Sequence, residues 1–233
     1  MCYHFFHLPI TGPRITTLRV ASLLEWPARY HVVPTQEVAV VRCVQAKGQD
    51  RELVSLRWGL VPRWVKHPEE VSPQLANARA ETVASKASFQ RPFREQRCLI
   101  LADGFFEWKR IGARKVPYCI RPSSQELITF AGIWESWENK QDTIESCSII
   151  TTAANSDFRP LHDRMPVILP KTHHEAWLDP AETRIDRLLS YLHEPAPRLE
   201  IYPVRSLRGK KSEDPRLIEP VERPAIQRTL FEE

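Results

Sequence analysis

The order of apolar and polar positions along the chain predicts a protein in which strands outnumber helices. Runs rich in β-branched and aromatic residues predict strands over residues 38–44, 53–58, 98–108, 117–121, 127–137, 148–152 and 166–169. Apolar residues spaced three and four apart predict helices over residues 181–193, 172–178, 88–96 and 17–26. Because the strands do not alternate regularly with the helices, the pattern favours an α+β fold over a doubly wound parallel sheet.

The composition is that of a globular protein with many short elements. Of the 233 residues, 42% are hydrophobic and 27% are charged, and no apolar run approaches the ~18 residues of a membrane span. The 20 prolines against 7 glycines imply many fixed turns and a loop-rich fold. We expect one domain over residues 1–222 and a flexible tail over residues 223–233, where prolines and charges replace periodicity.

Charge and cysteine content narrow the possible functions only a little. The formal net charge of +4 permits nucleic-acid binding without requiring it. The chain also lacks the N-terminal pattern of a secretory signal peptide, so we expect a cytoplasmic protein that stays outside membranes. The cysteines are odd in number and form no C-x-x-C pair, which argues against a disulfide framework or a zinc site, and we expect no metal or other cofactor. They are Cys2, Cys43, Cys98, Cys119 and Cys147.

The chain opens with a cysteine directly behind the initiator methionine, in "MCYHFF". Removal of Met1 would leave Cys2 with a free α-amine and a thiol two bonds apart, a combination that reacts with aldehydes. A lone cysteine near a chain end that frays is also a common accident. These six residues alone leave both interpretations open.

Four further segments place polar residues in otherwise apolar, strand-like contexts. They are "LANARAET" at residues 75–82, "LADGFFEWKR" at 101–110, "ITTAANS" at 150–156 and "LHDRMPVIL" at 161–169. Each segment taken alone is better explained as a strand end whose polar residues cap a turn.

Taken together, these segments resemble the SRAP (SOS response-associated peptidase) family. The stretches "MC", "WGLVPRW", "NARAET", "RCLILADGFFEWK", "AGIWES" and "TTAANS…LHDRMPVIL" occur in the family's order. The resemblance runs from Cys2 to about Pro220, nearly the whole chain. It implies one domain with a strongly curved, mostly antiparallel, barrel-like β core and flanking helices.

The resemblance also implies an activity: covalent capture of abasic sites in single-stranded DNA. The α-amine of Cys2 would attack the ring-opened sugar aldehyde, and the thiol would then close a thiazolidine ring. An α-amine has a pKa of about 8 and a lysine about 10.4, so the α-amine is deprotonated roughly a hundredfold more often at neutral pH. The ring adds a second bond by proximity, which makes the adduct durable.

The family's site residues transfer to matching positions of this chain. Glu107 matches the carboxylate of proton transfer at the imine and of crosslink reversal, and His162 matches the histidine that opens the sugar and shuttles a proton. Asn77 matches the amide that holds the abasic residue and the terminal amine. Phosphate, sugar and base contacts would come from Arg79, Arg164, Thr151 and Trp64.

The chain departs from the family pattern at several positions. Tyr3 and His4 replace the usual glycine and arginine, and His31 stands where an asparagine is usual. Leu101 and Phe106 replace a proline and a tyrosine, and the asparagine expected after "PV" near residue 204 is missing. We expect these changes to alter DNA affinity and rate more than the type of reaction.

Two other functions compete with abasic-site capture. One is a thiol peptidase that removes a leader to expose Cys2, using Glu107 and His162, although only Met1 precedes Cys2 here. The other is a non-catalytic single-stranded DNA-binding module with an incidental cysteine. For the first-ranked function, we expect a monomeric bacterial protein of DNA repair and the SOS response, cytoplasmic and associated with the nucleoid.

The tail carries a further motif, because Gln227, Leu230 and Phe231 spell Q-x-x-L-F. This motif resembles the peptide by which bacterial proteins dock on the DNA-polymerase sliding clamp. The proline-rich "EPVERPA" before it would serve as a tether. The alternative is a terminal segment that packs its leucine and phenylalanine on the domain.

Overall fold

A computed structural model describes residues 2–20, 25–43, 51–71 and 73–221 of the chain. Within these residues the strands are β1 (Phe5–His7), β2 (Arg29–Val32), β3 (Glu37–Cys43), β4 (Arg51–Trp58), β5 (Asn77–Arg79), β6 (Arg97–Ala102), β7 (Gly104–Ile111), β8 (Arg114–Pro122), β9 (Ile128–Glu138), β10 (Thr143–Ala153), β11 (Arg164–Pro166) and β12 (Leu199–Pro203). The α-helices are short: α1 (Gly12–Ile15), α2 (Gln90–Glu95), α3 (His174–Leu178) and α4 (Ile185–Tyr191). No helix of the described part is long and apolar enough to cross a membrane.

Five strands close into a barrel. Strand β4 pairs with β3, β3 with β6, β6 with β9 and β9 with β10, each time antiparallel. A parallel pairing of β10 with β4 completes the ring. These pairings confirm the expected α+β fold with a curved, mostly antiparallel, barrel-like core.

A second sheet brings the N-terminus to the barrel. Its strands lie in the order β12-β8-β7-β1-β2 and pair antiparallel throughout. Strand β7 follows β6 of the barrel directly, and the residue between them is Asp103. The Asp103 carboxylate accepts a hydrogen bond from the Leu8 backbone N–H at 2.7 Å and forms an ion pair with Arg14. A buried, paired carboxylate therefore fixes the corner at which the chain leaves the barrel.

Aromatic side chains hold β1 against the barrel. The Phe5 ring packs edge-on against Trp58, with centroids 5.1 Å apart, and against Phe130 at 5.9 Å. Phe105 of β7 meets the same Phe130 ring at 6.0 Å. Each buried phenylalanine contributes about 1.5–3 kcal/mol, so a strand of only three residues is held firmly at this interface.

The longer predicted elements are confirmed, with changed boundaries. The predicted strand over 98–108 is two strands, because β6 ends at Ala102 and β7 begins at Gly104, with Asp103 between them. The prediction over 166–169 is largely wrong, since β11 ends at Pro166 and Ile168 makes only an isolated bridge. The predicted helices over 88–96, 172–178 and 181–193 contain α2, α3 and α4.

The predicted helix over 17–26 is wrong for the residues that are described. The chain forms a 3-10 turn at Thr16–Leu18, and Val20 and Trp26 then make isolated β-bridges with Arg51 and Ile10. Other 3-10 turns cover Pro68–Glu70, Pro73–Ala76, Lys171–His173 and Pro215–Ile218. The domain boundaries over 1–222 stay a prediction, and the tail over 223–233 lies outside the described residues.

Candidate functional site

The pairing of β1 with β7 brings the N-terminal segment beside a carboxyl group. Phe5 lies opposite Phe105, and the Phe106 N–H donates to the His4 carbonyl at 2.9 Å. Continuing this antiparallel register by two residues brings Tyr3 level with Glu107, and Cys2, the next residue along, lies close enough for the Glu107 charge to act on its thiol. Cys2 itself is fully buried, so it does not lie in a frayed end.

Asn77 holds the backbone of Cys2 in place. The Asn77 Nδ2 donates a hydrogen bond to the Cys2 carbonyl at 2.9 Å. Asn77 is buried at the start of β5, which pairs in parallel with β10 at Ile149. Its Oδ1 accepts no hydrogen bond from the described residues, so a buried acceptor remains available beside Cys2.

Burial keeps the Cys2 thiol neutral and raises the pKa of Glu107. Desolvation raises the pKa of the Cys2 thiol well above its usual range, and the nearby Glu107 charge raises it further. Desolvation also raises the pKa of Glu107, while the positive charges of the amino terminus and of His162 oppose this shift. A carboxyl group whose pKa rises toward neutrality is suited to giving and taking protons.

His162 follows a helical turn that starts at Asn155, whose Oδ1 accepts from the Phe158 N–H at 2.9 Å. The His162 Nδ1 accepts a hydrogen bond from the Arg164 N–H at 2.9 Å and also lies 2.8 Å from the Asp163 Oδ1. The first contact needs an unprotonated Nδ1 and the second a protonated one, so the two contacts belong to different protonation or tautomeric forms of the ring. When Nδ1 of a neutral ring accepts from the Arg164 N–H, the proton lies on Nε2.

Arg164, Thr151 and Arg79 form a second group, next to the first. Strand β10 places Thr151 opposite Arg79 of β5 and opposite Pro166 of β11. The Thr151 hydroxyl is buried and donates to the Ala78 carbonyl at 3.3 Å. Arg79 is exposed at the end of β5.

The Arg164 guanidinium is already paired. It forms two parallel hydrogen bonds with the Glu81 carboxylate, at 2.5 and 2.9 Å, and a third with the Thr151 carbonyl at 2.6 Å. The sequence segment "NARAET" showed Glu81 alternating with Asn77 and Arg79, but it gave Glu81 no role. The structure shows that Glu81 pairs with one predicted phosphate ligand, Arg164, and that the charge of the other, Arg79, helps to lower its pKa.

Trp64 lies on the loop that follows β4. Its surface is 63% exposed, which makes it the most exposed large hydrophobic residue among the described residues. Its loop is anchored because the Trp137 Nε1–H donates to the Val65 carbonyl at 2.8 Å. An exposed tryptophan on an anchored loop is a surface on which a base can stack.

Comparison with known proteins identifies the family to which this chain belongs. The family model described as "SOS response associated peptidase (SRAP)" matches residues 8–210. The chain belongs to the SRAP family. The matched range starts after Cys2, so the N-terminal part of the site depends on the geometry described above.

Several relatives of this SRAP chain carry the name abasic site processing protein. YoaM of Bacillus subtilis is 41% identical over 78% of this chain and 80% of its own length. HMCES of Gallus gallus is 33% identical over 76% of this chain and 60% of its own. A crystal structure of a protein from Bacteroides thetaiotaomicron is 27% identical, with a TM-score of 0.83 over 95% of this chain and 100% of that one.

Two of the residues at which this chain departs from the family pattern, His4 and His31, are in contact in the structure. The His4 Nδ1 lies 2.8 Å from the His31 Nε2, and the rings stack with centroids 5.1 Å apart. Burial, together with the His31 charge, lowers the pKa of His4 to about 4. His4 is therefore neutral at pH 7 and does not supply the permanent charge of the arginine that it replaces. The pairing of the two rings was not visible in the sequence.

One group of side chains in the described part has the spacing of a metal site. The ligand atoms of His67, Glu69 and Glu70 lie within 4.8 Å of one another, and all three residues are exposed. Exposed acidic clusters are common without a bound ion, and we assign no role to this one.

Proposed function

We propose that this SRAP protein captures abasic sites in single-stranded DNA through a covalent bond to Cys2. The observation that carries the proposal is the hydrogen bond from Asn77 to the Cys2 carbonyl, because it holds a buried N-terminal cysteine beside Glu107. The names of the relatives, abasic site processing proteins, support the same substrate.

The α-amine of Cys2 reacts first. After removal of Met1, the amine adds to the C1′ aldehyde of the ring-opened sugar, and loss of one water gives an imine. About a tenth of such amines are unprotonated at pH 7, whereas the raised pKa of the thiol keeps it as S–H. The sulfur then adds to the imine carbon while the thiol proton passes to the imine nitrogen. The product is a thiazolidine, and no oxidant or reductant is consumed.

Glu107 and His162 carry the protons. Glu107 relays the thiol proton to the imine nitrogen during ring closure and returns it to the sulfur during reversal, a role that its raised pKa supports. The neutral His162 offers its Nε2–H to the sugar ring oxygen when the ring opens, because its Nδ1 accepts from the Arg164 N–H. Asn77 keeps the backbone of Cys2 oriented, and its unpaired Oδ1 can accept a hydrogen bond from the amine or from the sugar.

The DNA strand is held by its phosphates and by stacking. Arg79 and Arg164 bind phosphates on either side of the lesion, and Trp64 stacks on a flanking base. The buried Thr151 hydroxyl lines the sugar side of the site. Contacts of these kinds do not depend on base sequence, which suits a lesion that has lost its base.

The test is covalent trapping on a denaturing gel. We expect a heat-stable adduct with abasic single-stranded DNA and none with intact DNA, and Cys2→Ala should abolish it. Cys2→Ser keeps the amine but lacks the thiol, so it should give only an imine that borohydride traps. Cys43→Ala, on the barrel strand β3, is the matched control and should form the normal adduct.

The outcomes separate the competing functions. An undiminished adduct in Cys2→Ala would refute capture by Cys2. A protein that binds single-stranded DNA without forming any adduct would support the binding module, and release of a peptide on incubation would support the thiol peptidase.

The partners and location remain proposals that depend on this function. A DNA substrate supports the expected cytoplasmic, nucleoid-associated protein. The sliding-clamp motif at Gln227, Leu230 and Phe231 lies outside the described residues, and docking on a clamp stays a prediction from the sequence. We also keep the prediction that the protein is a monomer.

A further inference from the structure

Both terminal nitrogens of the Arg164 guanidinium are hydrogen-bonded to groups of the protein itself. Its Nη1 and Nη2 donate in parallel to the two oxygens of Glu81, at 2.5 and 2.9 Å. Nη2 also donates to the Thr151 carbonyl at 2.6 Å. A guanidinium has five N–H donors, and the Nε–H of Arg164 is buried without a partner among the described residues. An incoming phosphate therefore finds the two-pronged face of Arg164 occupied.

Glu81 occupies this face as a phosphate would. A carboxylate and a phosphate present the same pair of oxygens to an arginine fork. The hydrogen bonds from Arg164 come first among the causes that lower the pKa of Glu81, and the charge of Arg79 adds to them. Glu81 is therefore ionised at neutral pH and removes one of the two positive charges at this place.

We propose that Glu81 competes with DNA for Arg164: it fills the fork in the free protein, and a backbone phosphate of the bound strand displaces it. Glu81 thereby determines how tightly the protein holds undamaged single-stranded DNA. This inference rests on the proposed function in one respect, that Arg164 faces a DNA phosphate.

Displacement of Glu81 is energetically easy. Its side chain is 46% exposed, while that of Arg164 is only 14% exposed. A half-exposed carboxylate gains little from an ion pair because solvent screens it, and the released carboxylate regains its hydration. Arg164 stays in place after the exchange, because the Thr151 carbonyl and hydroxyl still contact its Nη2, at 2.6 and 3.3 Å. Glu81 is therefore not needed to position the arginine.

Weak reversible binding suits a protein that captures its target covalently. The adduct supplies the lasting attachment at a lesion, so tight binding to intact strands only keeps the protein away from lesions. A carboxylate that masks one phosphate ligand lowers affinity for every strand. The covalent step then discriminates in favour of the strand that carries an aldehyde.

The test measures reversible binding of intact, fluorescently labelled single-stranded DNA by anisotropy over a series of salt concentrations. Glu81→Gln should bind about three- to tenfold more tightly near 0.1 M salt, because Arg164 no longer exchanges a carboxylate for the phosphate. Its log–log salt slope should change by less than about 0.7, the value for one additional phosphate contact on a single strand, since the same phosphate contacts Arg164 in both proteins. Glu81→Ala should also bind more tightly.

Glu138→Gln is the matched control for net charge. Glu138 is exposed and lies opposite Thr143 at the start of β10, roughly 26 Å along the strand from Thr151 at about 3.3 Å per residue. We expect its affinity to change less than twofold. In Glu81→Gln with Arg164→Gln, the gain in affinity should disappear, because the fork that Glu81 masks is gone.

Three results would overturn the inference: Glu81→Gln binding no more tightly than the wild type, a gain equal to that of Glu138→Gln, or a gain that survives Arg164→Gln. Absence of any binding by the wild type and by Glu81→Gln would also overturn it. Failure of the proposed function looks different, since it appears as the lack of an adduct on abasic DNA while intact DNA is still bound.

Discussion

Replacing Asn77 with alanine tests whether the orientation of Cys2 limits the reaction. The variant removes the donor of the 2.9 Å hydrogen bond to the Cys2 carbonyl and leaves that carbonyl buried. It removes no charge and touches neither the thiol nor Glu107. We expect slower capture, because the backbone that carries the amine is no longer held toward the site.

The magnitude follows from the burial of both partners. Leaving a buried hydrogen-bonding group unsatisfied costs about 1–3 kcal/mol. If the orientation of Cys2 is needed in the transition state, this cost appears in the barrier, and about 1.4 kcal/mol corresponds to a factor of ten in rate. The rate constant of adduct formation should therefore fall roughly 5- to 150-fold.

The assay is single-turnover capture with the protein in excess over a labelled abasic oligonucleotide, quenched at intervals and resolved on a denaturing gel. The plateau rate should fall in Asn77→Ala, while the protein concentration at half-maximal rate changes less than twofold. Asn77→Asp keeps the shape but loses the donor, and it should slow capture at least as much. Asn139→Ala is the control, since Asn139 lies in an exposed turn and caps the N–H groups of Gln141 and Asp142.

The reasoning fails if folded Asn77→Ala captures abasic DNA within twofold of the wild-type rate. It fails equally if the whole effect lies in the half-maximal concentration, because Asn77 would then act in DNA binding. Circular dichroism melting curves establish that the variants are folded at the assay temperature.

Three further predictions follow from particular residues. Burial raises the pKa of Glu107, so the folded protein loses stability as the pH rises through that value. Glu107→Gln should therefore raise the melting temperature at pH 8 and not at pH 4, and an equal shift at both pH values would contradict this. A Cβ on Gly104 would lie 2.6 Å from the Phe6 ring. Gly104→Ala should therefore lower the free energy of unfolding in urea by about 1–3 kcal/mol or more. An unchanged midpoint of urea unfolding would show that β1 and β7 separate easily. A peptide of residues 222–233 should bind a bacterial sliding clamp with a Kd in the micromolar range by calorimetry, and Leu230→Ala with Phe231→Ala should abolish binding. Lack of clamp binding by the full-length protein would leave packing on the domain as the explanation of the motif.

The long, continuously apolar segments could be predicted from the sequence. Strands β6, β9 and β10 contain runs of buried apolar residues because they belong to a closed barrel, and such runs carry a strong local signal. The short strands β1 and β5 carry none, since three residues do not establish a period. Their existence depends on partners elsewhere in the chain.

The same distinction, between what the sequence predicts and what depends on the fold, applies to the candidate site. The sequence alone determined the reactive groups, an amine and a thiol on Cys2, a carboxyl on Glu107 and an imidazole on His162, and their order matched a known family. It did not determine the state of these groups. The raised pKa values of Cys2 and Glu107 arise from desolvation, and desolvation exists only once the sheets have packed around the N-terminus.

Only the tertiary structure determines which ionisable side chains come into contact. Arg164 and Glu81 are 83 residues apart in the chain, and they pair because β5 and β11 lie on either side of β10. His4 meets His31 because β1 lies beside β2. Local propensity acts over a few residues, whereas these contacts depend on strand order and register. The reactive groups could therefore be predicted from the residue types. Which charged groups lie beside them, and so alter their reactivity, could be seen only in the folded protein.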